Sequence, residues 1–278
     1  MILVTGAAGQ LGSGLIRFFE NNNIAVMGVD CNNFDITNHD ETIEYITKLR
    51  PTCVFHCAAY SNVDLAEDEK EQCEQVNIIG TENIVVACQK VSAKIVYIST
   101  DYVFDGTTQL PYEVDSMVAP LSVYGRTKAE GEYIVRNYPK GFVVRISWLF
   151  GGKGKNFVTT MLRLGREREQ LTVVADQIGS PTYVEDLVPV LYEISKTEEY
   201  GTYHATNEGY CSWADFAEKI MEYGNLSCKI QPVSSEEYGA KAKRPKNSRL
   251  SKISLDEHGF HRLPIWEDAL QRYLIEIS

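Results

Sequence analysis

Apolar positions in this chain fall into short runs separated by segments of helical period. "ILVTG" (2–6) predicts a strand, Leu11–Glu20 a helix, "IAVMGVD" (24–30) a strand, Glu41–Leu49 a helix and "TCVFHCAA" (52–59) a strand. A long helical stretch ending near Lys90 follows, then the strand "AKIVYIST" (93–100), a helix from about Ser122 to Asn137, and the strand "GFVVRISWLF" (141–150). Such alternation predicts right-handed βαβ units, an α/β fold with a doubly wound parallel sheet covered on both faces. After about Phe150 the pattern changes to a Gly/Lys-rich loop, "GGKGKN" (151–156), a helix over Phe157–Arg168 and less regular segments. A smaller second lobe is expected there.

The turn between the first strand and helix sharpens this picture. "VTGAAGQLGSGL" (4–15) spaces Gly6, Gly9 and Gly12 so that the backbone can turn tightly and approach a ligand. Its N–H groups, with the helix N-terminus, can hold a diphosphate. Glycines alone also fit an ordinary strand–helix turn. The next strand, however, ends on Asp30, where a ribose-binding carboxylate belongs. Residues 1–150 are therefore expected to form a Rossmann-type dinucleotide-binding domain, and 151–278 a mainly substrate-binding lobe that can interleave with it. Asp30 is followed by Cys31-Asn32-Asn33 rather than by Arg or Lys, which favours NADH over NADPH, whose 2′-phosphate would meet the acid.

Candidate chemistry lies in "ISTDYVFDG" (98–106) and "VYGRTK" (123–128). Tyr124 and Lys128 stand four apart on a predicted helix and share a face. A nearby ammonium is expected to lower the phenol's pKa from ~10 and ease proton exchange near neutral pH. Thr100 ends a predicted strand, where ligands gather in open α/β sheets, and its hydroxyl can bond a substrate oxygen. A lone Tyr-x-x-x-Lys is common on solvated helices, so the pair gains weight only beside the glycine loop and Ser99-Thr100.

Composition narrows the partners. The chain has 278 residues, 44% hydrophobic, and 27 Lys+Arg against 38 Asp+Glu give a net charge of -11. That charge disfavours nucleic acid and anionic membranes. No apolar run approaches the ~20 residues of a membrane span and no leader is evident, so a cytoplasmic protein is expected. The seven scattered cysteines are expected to be reduced thiols. Cys53, His56 and Cys57 invite a metal reading, but their apolar, strand-length context favours core packing, and no metal site is expected.

"STDYVFDG", "VYGRTK", "RISWLFG", "NFVTTMLRL", "DQIGSPT" and "RPKNSRL" together make the chain resemble, over essentially its full length, the extended short-chain dehydrogenase/reductases. Within them it is most similar to the branch whose members reduce dTDP-4-dehydrorhamnose. The resemblance implies a catalytic trio of Thr100, Tyr124 and Lys128, with Tyr124 as proton donor and Lys128 also bonding the nicotinamide ribose. It places Gly9, Gln10 and Leu11 at the cofactor diphosphate, Asp35 and Ile36 at the adenine edge, and Ala58, Ala59, Tyr60 and Ser61 along the cofactor. Asp101 and Trp148 fall at substrate-pocket positions, and the implied substrate is a nucleotide sugar. Dehydratases of the superfamily carry glutamate where this chain has Tyr102, which favours ketone reduction, completed by one hydride and one proton. A nucleotide-sugar epimerase with bound NAD, and a non-catalytic subunit resembling the regulatory subunit of methionine adenosyltransferase, remain as alternatives.

Two further features bear on partners. Lys241, Lys243, Arg244, Lys246 and Arg249 concentrate positive charge that either closes over a sugar-nucleotide diphosphate or forms a solvated basic loop. Some relatives form homodimers bridged by magnesium on carboxylates. Glu185 and Asp186 resemble part of such a cluster, but Gly14 stands where a first-helix glutamate is expected, which argues against bound magnesium.

Overall fold

The computed structural model describes residues 1–152 and 154–278; Lys153 of the Gly/Lys-rich loop lies outside them. The alternating runs form one six-stranded parallel sheet. Its strands are β1 (Ile2–Thr5), β2 (Val26–Val29), β3 (Cys53–His56), β4 (Lys94–Thr100), β5 (Gly141–Ile146) and β6 (Gly201–His204), in the spatial order β2-β1-β3-β4-β5-β6. Every residue of β1, β3 and β5 is buried, as continuous apolar runs require when helices cover both faces.

On one face, Leu15 and Phe19 of the helix Gln10–Asn21 and Leu187, Leu191 and Ile194 of the helix Val184–Lys196 pack on Phe55, Phe142 and Val144. On the other, Ile46, Ile84, Val85 and Val135 pack against Leu3, Val54, Ile95 and Val143. Each such side chain contributes roughly 1.5–3 kcal/mol on burial. A third core, around Phe150, Leu162, Phe216, Trp266 and Tyr273, belongs to the later part of the chain. There Gln170–Val174 and Lys229–Val233 form a separate parallel pair. Between these two strands the chain returns to the first body, where Val184–Lys196 covers the sheet and β6 extends its β5 edge.

Two predicted elements differ in the structure. The strand expected over 141–150 stops at Ile146, because Trp148 takes a left-handed conformation (φ 48°) and Leu149–Phe150 pairs instead with Thr182–Tyr183. The long helix ending near Lys90 is jointed: Lys70–Glu74, a π-helical turn at Gln75–Ile79, then Gly80–Val91. The π turn carries Asn77, whose side chain accepts from the Tyr60 N–H (2.8 Å) and donates to the Thr127 hydroxyl (3.0 Å). Hydrophobic periodicity does not reveal such a turn; its signal is a polar residue on an inward face.

Both buried histidines are held neutral. His56 bonds Thr5 (2.8 Å) and Thr81 (3.2 Å), and His204 bonds the Ser251 carbonyl (3.0 Å) and approaches Arg145 (3.2 Å). Burial drives each imidazole down to about 3, aided by the charge of Lys128 for His56 and of Arg145 for His204. The folded state thus binds fewer protons than the unfolded chain between pH 6.5 and 3, so stability is present above the unfolded value and lost as pH falls below it. Thermal melts are expected to show the midpoint dropping steadily from pH 6.5 downward; a flat profile to pH 4 would contradict this. No helix among the described residues is long and apolar enough to cross a membrane, and all seven cysteines are free.

Candidate active site

Strand order reverses between β1 and β3, and ligands of open α/β sheets settle outside the carboxyl ends at that point. A cavity of about 760 Å³ lies there, lined by the loops that follow β1 to β5. Gly6, Gly9, Gln10, Leu11 and Gly12 line one part of it, Asp30, Asp35 and Ile36 another, and Ala58, Ala59 and Ser61 the side between. Thr100, Asp101, Tyr124, Lys128 and Trp148 line it too. Residues from five separate loops, widely spaced in sequence, thus meet on one space.

The glycine loop is a cradle with no room for side chains. Gly6 is left-handed (φ 68°), and a Cβ there would stand 2.7 Å from the Ala58 nitrogen; a Cβ on Gly12 would stand 2.1 Å from the Gly6 oxygen. Gln10 and Leu11 open the helix Gln10–Asn21, whose unpaired N–H groups and dipole suit a diphosphate. Gln10 Oε1 is buried without a partner. The Asp30 carboxylate caps its own turn through the Asn32 N–H (2.9 Å). These residues fit a dinucleotide cofactor. Gly12→Ala is expected to raise the dissociation constant for NADH by more than about tenfold (1.4 kcal/mol), read by cofactor fluorescence titration. Unchanged affinity would remove the loop from the binding site.

The catalytic candidates sit on two rigid elements. Thr100 ends β4, and its Oγ1 accepts from the Tyr102 N–H (3.2 Å). Tyr124 and Lys128 ride on the helix Val123–Arg136, capped by Ser122, which accepts from the Gly125 N–H (3.1 Å). Gly125 lets that helix close on the strand end, since a Cβ there would lie 2.2 Å from the Tyr102 carbonyl oxygen. Lys128 is buried with its Nζ 3.9 Å from the centre of the Tyr97 ring.

The electrostatics differ from the sequence expectation. Burial pushes the Tyr124 phenol above its ordinary value, opposed by a hydrogen bond with Thr100 and reinforced by Asp101; Lys128 is absent from these influences. Burial also pushes Lys128 down to about 7, opposed mainly by Glu132. Desolvation dominates for both groups, and the ammonium rests over the Tyr97 ring. Asp101 is 2% exposed, and burial pushes its carboxyl up to about 7, against the nearby Ser248 and Thr100 hydroxyls.

Behind the trio runs a buried polar ladder. Ser99, Arg145 and His204 are in register across β4, β5 and β6. Glu132, one turn beyond Lys128, receives Arg145 Nε at 2.8 Å and Nη2 at 2.7 Å, and the Ser99 hydroxyl at 2.6 Å. The helix that carries Tyr124 and Lys128 is thereby fixed to the sheet.

Other expected positions distribute unevenly. Trp148 stacks on Trp213 (3.7 Å, 13°), with Gly179 so close that a Cβ would meet the indole at 2.7 Å. Tyr60 is turned from the cavity: its hydroxyl donates to Glu69 (2.6 Å). None of the basic residues at 241–249 lines the cavity. Arg244 grips Asp64 (2.7 and 3.1 Å), Lys241 pairs with Asp68, and Lys246 pairs with Asp176 at 3.2 Å. The segment thus joins the second lobe to the loop after β3. Glu185 pairs with Arg17, and Asp186 with Arg272 and Asn207, so both carboxylates offered to magnesium already have protein partners. Gly14 packs where a Cβ would lie 2.3 Å from Val184 Cγ1, leaving no space for a glutamate in this arrangement. Cys53 and Cys57 are thiols that burial pushes up to about 12. Among the described residues no cluster of three or more His, Cys, Asp or Glu could hold a metal ion.

Phe34, Ser147 and Lys155 also line the cavity and were not singled out by sequence. Lys155 arrives because the Gly/Lys-rich loop folds back on the glycine loop: Gly152 (φ 66°) leaves its Cβ position 2.5 Å from the Gln10 carbonyl oxygen. The glycines and lysines of that loop were the available signal.

Comparison with known proteins agrees with this geometry. The family described as the RmlD substrate binding domain matches residues 1–278. A dTDP-4-dehydrorhamnose reductase of Aggregatibacter actinomycetemcomitans is 38% identical, covering 97% of each chain. The spore coat polysaccharide biosynthesis protein SpsK of Bacillus subtilis is also 38% identical, over 100% of this chain and 98% of that one. Among solved structures, a Bacillus anthracis dTDP-4-dehydrorhamnose reductase in complex with NADP superposes with a TM-score of 0.96 at 46% identity, covering 99% of this chain and 98% of that one.

Proposed function

Since this chain belongs to the RmlD substrate binding domain family, we infer that it is an oxidoreductase converting dTDP-4-dehydro-L-rhamnose to dTDP-L-rhamnose, a step of polysaccharide biosynthesis, with Tyr124 as proton donor. The observation that carries the residue assignment is the convergence of Thr100, Tyr124 and Lys128 on the cavity that also holds the glycine cradle. Bound there, a nicotinamide cofactor supplies hydride.

The chain's own residues then have distinct tasks. The glycine-loop N–H groups hold the diphosphate, and Asp30 accepts from a ribose hydroxyl. Thr100 orients the substrate's C4 oxygen beside the Tyr124 hydroxyl, and Tyr124 delivers a proton as negative charge develops on that oxygen. Lys128, whose ammonium Glu132 favours, holds the nicotinamide ribose and supports the charge left on Tyr124. Trp148, backed by Trp213, gives the sugar a flat wall. In this reading residues 1–150 hold mainly the cofactor and 151–278 mainly the nucleotide sugar, with 184–204 returned to the first body.

Asp30 and Cys31 at the end of β2 support a preference for NADH, because Lys128 and Lys155 are the only cations among the described lining residues and neither belongs to that loop. The expected result is a higher kcat/KM with NADH than with NADPH under matched conditions. The reverse ranking, in keeping with the NADP of the Bacillus anthracis relative, would assign the 2′-phosphate a partner outside this loop.

A further inference from the structure

We propose that the Lys155 ammonium holds the diphosphate of the bound dinucleotide, together with the N-terminus of the helix Gln10–Asn21. This deepens the reductase reading and rests on it. It gives the Gly/Lys-rich loop, otherwise the border of the second lobe, a place in holding the cofactor.

The backbone sets Lys155 beside the glycine cradle. The residue is exposed and lines the cavity, and its carbonyl accepts from Gln10 Nε2 at 3.5 Å. Gly152 (φ 66°) and Gly154 (φ 103°) bring the loop onto the same glutamine: their Cβ positions stand 2.5 Å from the Gln10 carbonyl oxygen and 3.9 Å from Gln10 Cγ. On the other side Asn156, 7% exposed, caps the helix Phe157–Glu167 by accepting from the Thr159 N–H (2.9 Å). Its amide also donates to the Tyr273 hydroxyl (2.9 Å), within the core of the second lobe. Lys155 is thus anchored between the first residue of the helix that follows the cradle and the body of the second lobe.

Charge singles out this side chain. The helix Gln10–Asn21 has no side-chain cap and no acidic residue in its first turn, and its dipole offers an anion only about half a charge. Asp30, Asp35 and Asp101 also line the cavity, so an entering diphosphate meets carboxylates and needs a cation. Two lysines line the cavity among the described residues. Lys128 is buried, with its Nζ 3.9 Å from the centre of the Tyr97 ring. Lys155 has no carboxylate partner among the described residues, whereas Arg17, Lys241, Arg244 and Lys246 each have one. Its ammonium can therefore meet phosphate oxygens without first breaking an ion pair.

The test is Lys155→Met, which keeps most of the stem and removes the charge; because the side chain is exposed, the melting midpoint should stay native. Titration calorimetry should show NADH and NADPH both bound at least about fivefold more weakly, by the same factor, while dTDP binds as it does to the native protein. Lys155→Arg should restore most of the affinity, and added salt should weaken NADH binding to the native protein more than to Lys155→Met. A loss confined to NADPH would assign the ammonium to the 2′-phosphate, and a loss confined to dTDP would assign it to the sugar-nucleotide diphosphate. Native affinity for all three ligands would leave it in solvent, and each of these results would overturn the proposal. Native protein that binds cofactor as described yet does not reduce dTDP-4-dehydro-L-rhamnose would overturn the reductase reading alone. Native protein that binds neither NADH nor NADPH would overturn both.

Discussion

Tyr124→Phe is expected to lower kcat by about 10²–10⁴-fold while leaving NADH affinity and the melting midpoint near native values, because in the proposed mechanism it removes only the proton that the developing alkoxide needs. The phenol ring keeps its edge-to-face contact with Tyr102 (6.1 Å, 81°) and its place on a well-capped helix, so packing is undisturbed. Steady-state kinetics with saturating cofactor, paired with a fluorescence titration, separate the two effects. Native-like turnover in this variant would assign proton delivery to another group.

The second large effect concerns the ladder behind the site. Glu132→Ala leaves Arg145, fully buried, without its carboxylate, and is expected to cost about 3–5 kcal/mol of stability. A melting midpoint roughly 10 °C lower would accompany that loss. Replacing both partners with apolar residues, Glu132→Leu with Arg145→Met, should restore most of the stability, since an unpaired buried charge costs more than an absent pair. The double variant should nonetheless lose turnover at lower pH than the native enzyme. Glu132 favours the Lys128 ammonium against burial, so its removal lets the lysine discharge sooner as pH rises. A single variant as stable as the native protein would show that water reaches Arg145.

Much of this architecture was written in hydrophobic periodicity. The runs around Leu3, Val54, Val96 and Val144 became central parallel strands because each is apolar on both faces, and Gly6 and Gly12 marked the tight turn after β1, where no side chain fits. What periodicity missed was tertiary. Nothing in "GTYH" (201–204) announces a strand that pairs with β5 across a large insertion. Trp148 breaks its strand through a backbone conformation that no apolar pattern encodes. The basic residues 241–249 looked available to a diphosphate, yet Arg244 and Lys241 meet Asp64 and Asp68, over 170 positions earlier. The spacing of Tyr124 and Lys128 placed both on one cavity, but desolvation set their proton affinities, and burial is a property of the assembled fold.

The most direct test follows the purified protein with dTDP-4-dehydro-L-rhamnose and NADH or NADPH, recording cofactor oxidation and identifying the sugar nucleotide by NMR. The account predicts one equivalent of cofactor oxidised for each dTDP-L-rhamnose formed. Tightly held NAD with sugar epimerised and no net cofactor consumption, or no reaction in the presence of an intact cofactor complex, would contradict it.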